Sequence, residues 1–529
     1  MSALDDWRAL LGAGQVLDPA AAQERYGADA SAIERVLAGA LLVQDSTQLP
    51  AVLAIARTHG VPVYPISTGR NWGYGSALPA RDHGVIVDLS GLRRIIDFDR
   101  ELGVVTVEPG VTQGMLADYL ERHQLPFMVP VTGAGPSCSL LGNALERGFG
   151  VTPHTDHFGA VTDLEAVLAD GSLYKTALHE AGGADLARLF KWGIGMHSAG
   201  MFSQSGLGIV TRMSIVLARR PDVVKVCLFS LKDDSLLETA IERIRIILSR
   251  LPGTVGGLNL MNRHRVLAMS APYPSVAERD SAGLMPAELV ERLGRQYQVA
   301  PWTGFGTLYG SERMVNAAQK EIRAELQGVA TRLLFLSPAN AAVLARVAQR
   351  VPGAVGQRLA STAATLARSL ELAAGRPNET ALPLAYWRNA VAGVPGQRNP
   401  AADGCGLIWY APLVPMRARG ARQYVDLVTA ITRRHGFEPL LTFTSLNDRL
   451  FDSTVPLLFD RADPEAVRKA HVCYEELIAE GRKNGYFPYR VALSAMPALR
   501  AAQPVSSAFH DRVRGAFDPE GIIAPGRYS

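Results

Sequence analysis

A glycine-rich loop from Ser67 to Pro79, STGRNWGYGSALP, carries the first residues whose types and spacing suggest chemistry. Turns at Gly69, Gly73 and Gly75 free backbone N–H groups to form a concave donor surface suited to a pyrophosphate, and hydroxyl and amide side chains add donors. The spacing is neither GxGxxG nor GxxxxGK[ST], which disfavours a Rossmann or P-loop site. On these residues alone, a plain surface loop is an equally good interpretation.

A strand–helix–strand unit positions this loop. The segment ALLVQ from Ala40 predicts a strand, Ser46 and Thr47 signal the start of a helix, and Gly60 signals its end. The following VPVYPIS predicts a second strand that leads directly into the loop. A loop exposed after a strand suits ligand binding.

Strands and helices continue to alternate up to about residue 222. VIVDL and VVTVEPG predict strands, and Thr112 is expected to cap a helix that ends at His123. EAVLADGSLY predicts a hairpin that turns at Asp170-Gly171, and Leu207–Val216 a further strand. We therefore expect residues 1–222 to form an α+β unit.

From about Val223 the sequence favours longer helices. We interpret residues 223–485 as a second domain and expect residues 486–529 to return to short strands and turns. The predicted helical stretches are Leu236–Arg250, Glu312–Gln327 and Ala339–Ala374, the last broken at Pro352-Gly353.

Composition excludes several classes of protein. The 529 residues are 48% hydrophobic and 20% charged, typical of a globular protein. The formal net charge is only +4, so the sequence lacks the excess of basic residues that is typical of a protein that binds nucleic acid. No apolar run approaches the roughly 18–20 residues that span a bilayer, and MSALDDW has acids where a signal peptide has positive charge. We expect no membrane partner and a cytoplasmic location, with periplasmic association through a partner left open.

The cysteines are far apart and form no CxxC pair, which argues against both a zinc site and a disulfide framework. No metal site is therefore expected, and a reducing compartment fits. They are Cys138, Cys227, Cys405 and Cys473.

A series of motifs in fixed order closely resembles the vanillyl-alcohol oxidase and p-cresol methylhydroxylase family. The resemblance extends over roughly residues 40–527, and LFKWG leans toward the p-cresol methylhydroxylase branch. The motifs are the Ser67–Pro79 loop, EPGVT (Glu108–Thr112), GNALERGFGVTP-x-x-DHF (Gly142–Phe158), LFKWGIG (Leu189–Gly195), GMFSQSGLGIVT (Gly200–Thr211), Tyr489-Arg490 and DPEGIIAPGR (Asp518–Arg527).

The resemblance implies a two-domain FAD-binding fold of the p-cresol methylhydroxylase type, with an α+β cap domain over the flavin. It also implies a phenolic substrate, oxidised at its benzylic carbon by hydride transfer to flavin N5 through a para-quinone methide. A homodimer, and either O₂ or a c-type cytochrome as electron acceptor, are further implications.

Tyr74, Tyr489 and Arg490 match the family positions that bind the phenol oxygen. A phenolate is a far better hydride donor at its benzylic carbon than a neutral phenol. A guanidinium and two phenolic donors that converge on the oxygen would lower its pKa.

Asp156 matches the family carboxylate beside flavin N5, where it is expected to act as a base or to favour the reduced flavin; the alternative is a turn residue that caps nearby N–H groups. His157 is expected to be a packing or hydrogen-bonding residue. Pro153-His154-Thr155 departs from the Pro-Tyr-Gly usual in the family.

The resemblance and the loop together predict the residues that hold FAD. They are Ser67, Thr68, Gly69, Arg70, Asn71, Gly73, Tyr74, Gly75, Pro109, Gly110, Gly142, Asn143, Gly208, Ile209, Val210, Tyr386 and Arg527.

Family members attach FAD covalently through a His or, in the cresol branch, a Tyr. Asp452 and Ser453 occupy the places expected for a His pair, which excludes histidyl attachment there. Ala385 stands at the tyrosyl position, one residue from Tyr386. Attachment through Tyr386 after a local shift, and non-covalent FAD, both remain open.

Two alternative functions remain. One is an FAD-linked 2-hydroxy-acid dehydrogenase on the same fold, although no HxxxxxxH cluster lies near the later motifs. The other is a catalytically silent FAD-binding protein, against which the joint presence of Tyr74, Asp156, Tyr489 and Arg490 speaks.

Overall fold

The computed structural model describes residues 2–348, 364, 366–389 and 393–528. Its first sheet has four strands in the order Val16–Leu17, Leu37–Leu42, Gly84–Asp88 and Val63–Ile66. The first pair is antiparallel and the others are parallel. The chain terminus adds to this sheet, because the N–H of Val63 donates to the carbonyl of Ile522 and the N–H of Ala524 to that of Val63.

The second sheet is antiparallel and has five strands. Their order is Ile95–Asp99, Val104–Val107, Gly208–Val216, Val161–Leu168 and Leu173–Lys175. Phe127–Met128 and Ala218–Arg219 form a separate short pair.

The third large sheet is antiparallel and has eight strands between residues 223 and 490. In order across the sheet they are Ala330–Leu336, Val223–Leu231, Trp302–Gly310, Val255–Asn262, Thr442–Ser445, Leu450–Asp460, Cys405–Pro415 and Phe487–Arg490. Because its edge strand ends at Arg490, this sheet extends past the boundary predicted after residue 485.

Helices cover these sheets. They are Ala3–Leu11, Pro19–Tyr26, Leu49–His59, Gln113–Arg122, Leu140–Leu145, Ala177–Glu180, Ala184–Ala187, Leu237–Arg250, Arg263–Ser270, Ala287–Tyr297, Glu312–Glu325, Pro338–Ala348, residues 366–373, Ala418–Arg434, Pro464–Lys483, Met496–Ala501 and Pro504–Phe517. Short 3₁₀ turns lie at Ala13–Gln15, Ser46–Gln48, Ser198–Phe202, Asp234–Leu236, Val276–Glu278, Leu382–Tyr386 and Leu493–Ala495. No helix in the described residues is long and apolar enough to cross a membrane.

Local signals in the sequence specify several of these elements as predicted. The Thr112 hydroxyl accepts from the N–H of Met115 at the helix start, and Gly60 ends its helix at φ 62°. The turn at Asp170-Gly171 joins two paired strands. These features depend on residues close in sequence, so the pattern alone is sufficient to predict them.

One expectation for the later part of the chain differs from the structure. The last segment contains the helices Met496–Ala501 and Pro504–Phe517, where short strands and turns were predicted. The second helix has no buried residue, but its apolar side chains Val505, Phe509 and Phe517 are spaced at multiples of four residues, a helical pattern that the sequence-based prediction overlooked. The predicted helix break at Pro352-Gly353 lies outside the described residues.

Candidate active site

A cavity of about 520 Å³ lies between the N-terminal sheets and the inner face of the eight-stranded sheet. Most of the residues predicted to hold FAD line it, together with three of the four predicted catalytic residues. The predicted residues that line it are Ser67, Thr68, Gly69, Arg70, Asn71, Tyr74, Pro109, Gly142, Asn143, Gly208, Val210, Tyr489, Arg490 and Arg527.

Several predicted cofactor residues support the cavity from behind rather than lining it. A Cβ at Gly73 would lie 2.4 Å from Trp409 Cδ1, and one at Gly75 would lie 2.4 Å from Leu493 Cδ1; both glycines have positive φ. A Cβ at Gly110 would lie 2.5 Å from the Ser90 carbonyl oxygen. Here glycine is required by tight packing against protein atoms, and a role for the Gly73 and Gly75 turns in binding a pyrophosphate stays a prediction.

Ile209 is likewise fully buried in the sheet core and does not line the cavity.

Arg490 lies at one end of the cavity over an aromatic ring. Its guanidinium carbon is 4.2 Å from the centroid of the Tyr74 ring, and its Nη2 donates to Asn71 Oδ1. Glu146 lies 3.7 Å from Arg490 Nε. Burial works to lower the pKa of Arg490, but the neighbouring carboxylate and phenolic groups raise it above its usual value. The guanidinium is therefore a fixed positive charge at this end.

Tyr489 brings a phenolic hydroxyl to the same end. Its hydroxyl donates a long hydrogen bond of 3.5 Å to Asp452 Oδ2, and its ring meets Phe149 edge-on at 5.5 Å. Burial raises the pKa of both Tyr489 and Tyr74, so the two hydroxyls stay protonated and can donate hydrogen bonds.

A chain of charged groups anchors this end of the cavity to the terminal segment. Arg527 Nη1 donates to the Tyr64 hydroxyl at 2.5 Å, and its other terminal nitrogen pairs with Glu146. Since Glu146 also faces Arg490, its carboxylate lies between the buried guanidinium groups of Arg490 and Arg527. This network ties the cavity wall to the first sheet.

Asp156 does not lie with the other predicted catalytic residues. Its side chain is exposed, lies outside the cavity lining, and accepts the N–H of Gly159 at 2.8 Å. Asp156 thus makes the turn-capping contact, and its position beside the flavin stays a prediction. His157 has the predicted hydrogen-bonding role, since its buried Nδ1 lies 2.5 Å from Asn143 Oδ1; burial lowers its pKa to about 3.

Tyr386 also points away from the cavity. Its hydroxyl donates to Asp403 Oδ2 at 2.5 Å, whereas the neighbouring Leu384 and Ala385 line the cavity. Burial, with that hydrogen bond, raises the pKa of Tyr386 above its usual value.

Sequence reasoning did not assign a site role to several polar residues on the cap side of the cavity. Asp452 is 4% exposed, and burial raises its pKa to about 7. Arg265, Thr442 and Thr444 also line the wall, beside Trp409. These residues come from strands and a helix distant in sequence, and no local motif marks them.

The geometry fits an FAD. Gly142 approaches Ser67 so closely that a Cβ would lie 2.3 Å from its Oγ, so only glycine allows this packing at the cavity wall. Arg70 faces the same wall with a buried Nε that has no hydrogen-bond partner in the described structure. A polar, positively charged wall with unused donors suits a pyrophosphate. The described residues contain no cluster that could hold a metal ion.

Comparisons with known proteins also indicate that this chain binds FAD. The FAD binding domain family model matches residues 37–177. The chain is 36% identical to 1'-carboxy-chondrochloren decarboxylase of Chondromyces crocatus over 488 residues, 91% of this chain and 88% of that protein. It is 27% identical over 529 residues to the 4-cresol dehydrogenase (hydroxylating) flavoprotein subunit of Pseudomonas putida, covering 99% and 94% of the two chains.

Structural comparison extends the likeness to nearly the whole fold. The crystal structure of p-cresol methylhydroxylase with substrate bound matches with a TM-score of 0.86 and 26% identity, covering 99% of this chain and 96% of that one. A likeness to a probable mitochondrial D-2-hydroxyglutarate dehydrogenase of Oryza sativa subsp. indica, 31% identical, covers only 36% of this chain and 33% of that protein. The chain thus has the expected two-domain FAD-binding fold, and it belongs to the vanillyl-alcohol oxidase and p-cresol methylhydroxylase family as an FAD-dependent oxidoreductase.

Proposed function

We propose that this protein oxidises the benzylic carbon of a para-substituted phenol. The observation that carries the proposal is the buried cation at one end of the cavity: Arg490 lies over the Tyr74 ring, next to the Tyr489 hydroxyl. A phenol oxygen placed there would meet one fixed positive charge and protonated phenolic donors. Arg490, Tyr74 and Tyr489 are the residues we assign to it.

These residues would favour the phenolate. A cation within a few ångströms of a phenol lowers its pKa, and in a buried site the attraction is screened far less than in water. Hydrogen bonds from Tyr74 and Tyr489 would stabilise the same anion. Because the pKa of Arg490 is raised above its usual value, the guanidinium keeps its charge at neutral pH.

The phenolate makes oxidation of the side chain feasible. Its oxygen electrons flow through the ring as hydride leaves the benzylic carbon, so the product of that step is a neutral para-quinone methide rather than a cation. FAD, when bound, supplies the two-electron acceptor for this hydride. Addition of water, or loss of a further group from the side chain, then restores the aromatic ring.

We infer that FAD is held without a covalent bond. Ala385 lines the cavity at the position expected for a linking Tyr, and it has no nucleophile. Tyr386 uses its hydroxyl in the bond to Asp403, and Asp452 stands where a His would be expected. Acid precipitation should leave a colourless protein pellet and put the flavin in the supernatant.

The electron acceptor is either O₂ or a c-type cytochrome. The Pseudomonas putida relative is named as a flavoprotein subunit, which favours a second, electron-accepting subunit. Oxygen consumption during turnover distinguishes these two acceptors. We also propose that the protein is a homodimer.

A second candidate reaction is oxidative decarboxylation, favoured by the 36% identity to a decarboxylase over 91% of this chain. The first step is the same loss of hydride. If the side-chain carbon next to the benzylic carbon bears a carboxylate, the bond between that carbon and the carboxylate carbon then breaks. CO₂ leaves, and the electron pair forms a side-chain double bond and returns the quinone methide to a phenolate.

Anaerobic mixing of the holoenzyme with 4-ethylphenol, 4-hydroxybenzyl alcohol and their para-methyl ethers tests the proposal. We expect the free phenols to bleach the flavin and the ethers to leave it oxidised, because an ether cannot become a phenolate. Equal rates for a phenol and its ether would overturn the proposed mechanism. D-lactate is included because reduction by a 2-hydroxy acid alone would establish the alternative dehydrogenase function.

A further inference from the structure

A fourth arginine, besides Arg70, Arg490 and Arg527, lines the same cavity, and none of the ion pairs among the described residues includes it. Arg265 is 9% exposed and lines the cap side of the cavity. Within the described structure its Nε and Nη1 have no hydrogen-bond partner, and no neighbouring carboxylate offsets the effect of burial on its pKa. Its guanidinium carbon lies 5.6 Å from the centroid of the Trp409 ring, in a cation–π contact.

This isolation is costly. A buried charge is normally paired, and burial alone lowers the pKa of Arg265 to about 9. Arg490 in the same cavity has Glu146 and Asn71 beside it. A guanidinium without a partner in a ligand cavity therefore indicates that a ligand supplies the anion.

The neighbouring wall has a further unused polar atom. Thr442 lines the cavity, and its buried Oγ1 has no hydrogen-bond partner in the described structure. Thr442 pairs across the sheet with Met261, four residues before Arg265, so both groups lie at one end of the wall. A guanidinium fork and a hydroxyl form a suitable receptor for the two oxygens of a carboxylate.

The order of strands places this receptor away from the phenol end. Tyr489 reaches Asp452, which pairs with Thr444; Thr442 lies two residues further along that strand. Asp452 and Thr442 are therefore separated by one inter-strand spacing and by two residues along a strand, a distance of roughly 8 Å. A phenol ring with a short side chain has this scale, so one molecule can reach both ends.

We propose that the substrate carries a carboxylate on its para side chain, and that Arg265 with Thr442 binds it. The substrate class is then a 4-hydroxyphenyl compound with a short carboxylated chain, such as 3-(4-hydroxyphenyl)propanoate. This inference rests on the proposed function for the phenol half of the molecule; the carboxylate half is independent of it.

The carboxylate half is tested with ligands that contain no phenol. Binding of 3-phenylpropanoate and of its neutral isostere 3-phenylpropanamide to the oxidised holoenzyme is measured by calorimetry and by perturbation of the flavin spectrum. We expect the wild type to prefer the carboxylate and Arg265→Met to reduce that preference by about 10- to 100-fold, the usual range for a charged hydrogen-bonded pair. Arg265→Lys should keep part of it, since the charge remains.

Arg263→Met is the matched control. Arg263 lies on the same helix but pairs with Glu291 outside the cavity, so the preference should not change. Equal affinity for acid and amide in the wild type, or a preference that survives in Arg265→Met, would overturn the inference; if Arg265→Met does not fold, the wild-type comparison and Arg265→Lys decide. If the preference depends on Arg265 but no phenol reduces the flavin, the proposed function fails while the carboxylate site stands.

Discussion

The two ends of the cavity each contain a buried arginine over an aromatic ring, but their electrostatic environments are opposite. Arg490 lies over Tyr74 with Glu146 nearby, and these neighbours raise its pKa in spite of burial. Arg265 lies over Trp409 with no anion within reach, and burial lowers its pKa to about 9. One end is electrostatically complete without a ligand; the other is not.

This difference separates two kinds of recognition. A cation already paired and oriented by the protein keeps one geometry throughout a reaction, which suits stabilising charge that develops on a substrate oxygen. An unpaired cation contributes most when an anionic ligand arrives, because the ligand removes the cost of the isolated buried charge. We therefore expect changes at Arg490 to affect the rate of oxidation most strongly, and changes at Arg265 to affect selection of the ligand.

Arg490→Ala should have the largest effect on chemistry. Loss of the cation leaves the bound phenol neutral and leaves Glu146 facing the cavity with one cation fewer. We expect flavin reduction by 4-ethylphenol to slow by about 10²–10³-fold, the range for removal of an oxyanion-stabilising group. The rate is measured by anaerobic rapid mixing.

Arg490→Lys is the matched variant, since it keeps the charge but loses the planar fork, and it should retain more activity than Arg490→Ala. Flavin content and thermal stability of both variants establish that FAD is still bound. An Arg490→Ala enzyme that reduces its flavin at the wild-type rate would remove the basis of the comparison.

Tyr489→Phe should have a milder effect at the same end. One hydrogen-bond donor to the phenol oxygen is lost while the Arg490 charge remains, which corresponds to roughly 10-fold in rate for a bond worth about 1 kcal/mol or slightly more. The same rapid-mixing measurement applies. A loss as large as that of Arg490→Ala would show that the hydroxyl, rather than the charge, dominates.

Asp452→Asn should change how stability depends on pH. Burial raises the pKa of Asp452 to about 7, so the folded protein holds a proton that the unfolded chain releases near pH 4. The stability from this group is fully present below about pH 4 and is lost as pH rises to about 7. Asp452→Asn should therefore lessen the decline in melting temperature over this window. Asp460→Asn, an exposed residue on the same strand, is the control and should leave the decline unchanged.

The sequence marks the residues at the Arg490 end of the cavity much better than those at the Arg265 end, for physical reasons. The Ser67–Pro79 loop and Tyr489-Arg490 are short motifs with a fixed local spacing, so they identify the residues directly. Arg265 and Thr442 meet only because two strands distant in sequence pair in the eight-stranded sheet, and no local signal records that pairing.

The same distinction applies to the fold. Caps and turns such as Thr112 and Asp170-Gly171 were predictable because their partners lie within a few residues. The eight-stranded sheet depends on long-range pairing, and the pattern after Val223 suggested mainly helices. Asp156 is a different case, since a motif marks the residue while the surrounding turn determines where its carboxylate lies.

Tyr386→Phe should have the smallest effect, and it tests whether the cofactor is bound only by the cavity walls. The substitution removes the hydroxyl that donates to Asp403, whose carboxylate also accepts the N–H of Asn399 and so keeps one partner. We expect a loss of stability of about 1.5–3 kcal/mol, the usual contribution of a hydrogen bond to a charged group. Because the neighbouring Ala385 rather than Tyr386 lines the cavity, flavin content and the rate of flavin reduction should stay within about twofold of the wild type. Acid precipitation followed by absorbance of pellet and supernatant provides the decisive measurement, with free flavin expected from both proteins. A yellow pellet from the wild type that becomes colourless in Tyr386→Phe would establish a covalent tyrosyl link and would require this segment to shift by one residue toward the cavity.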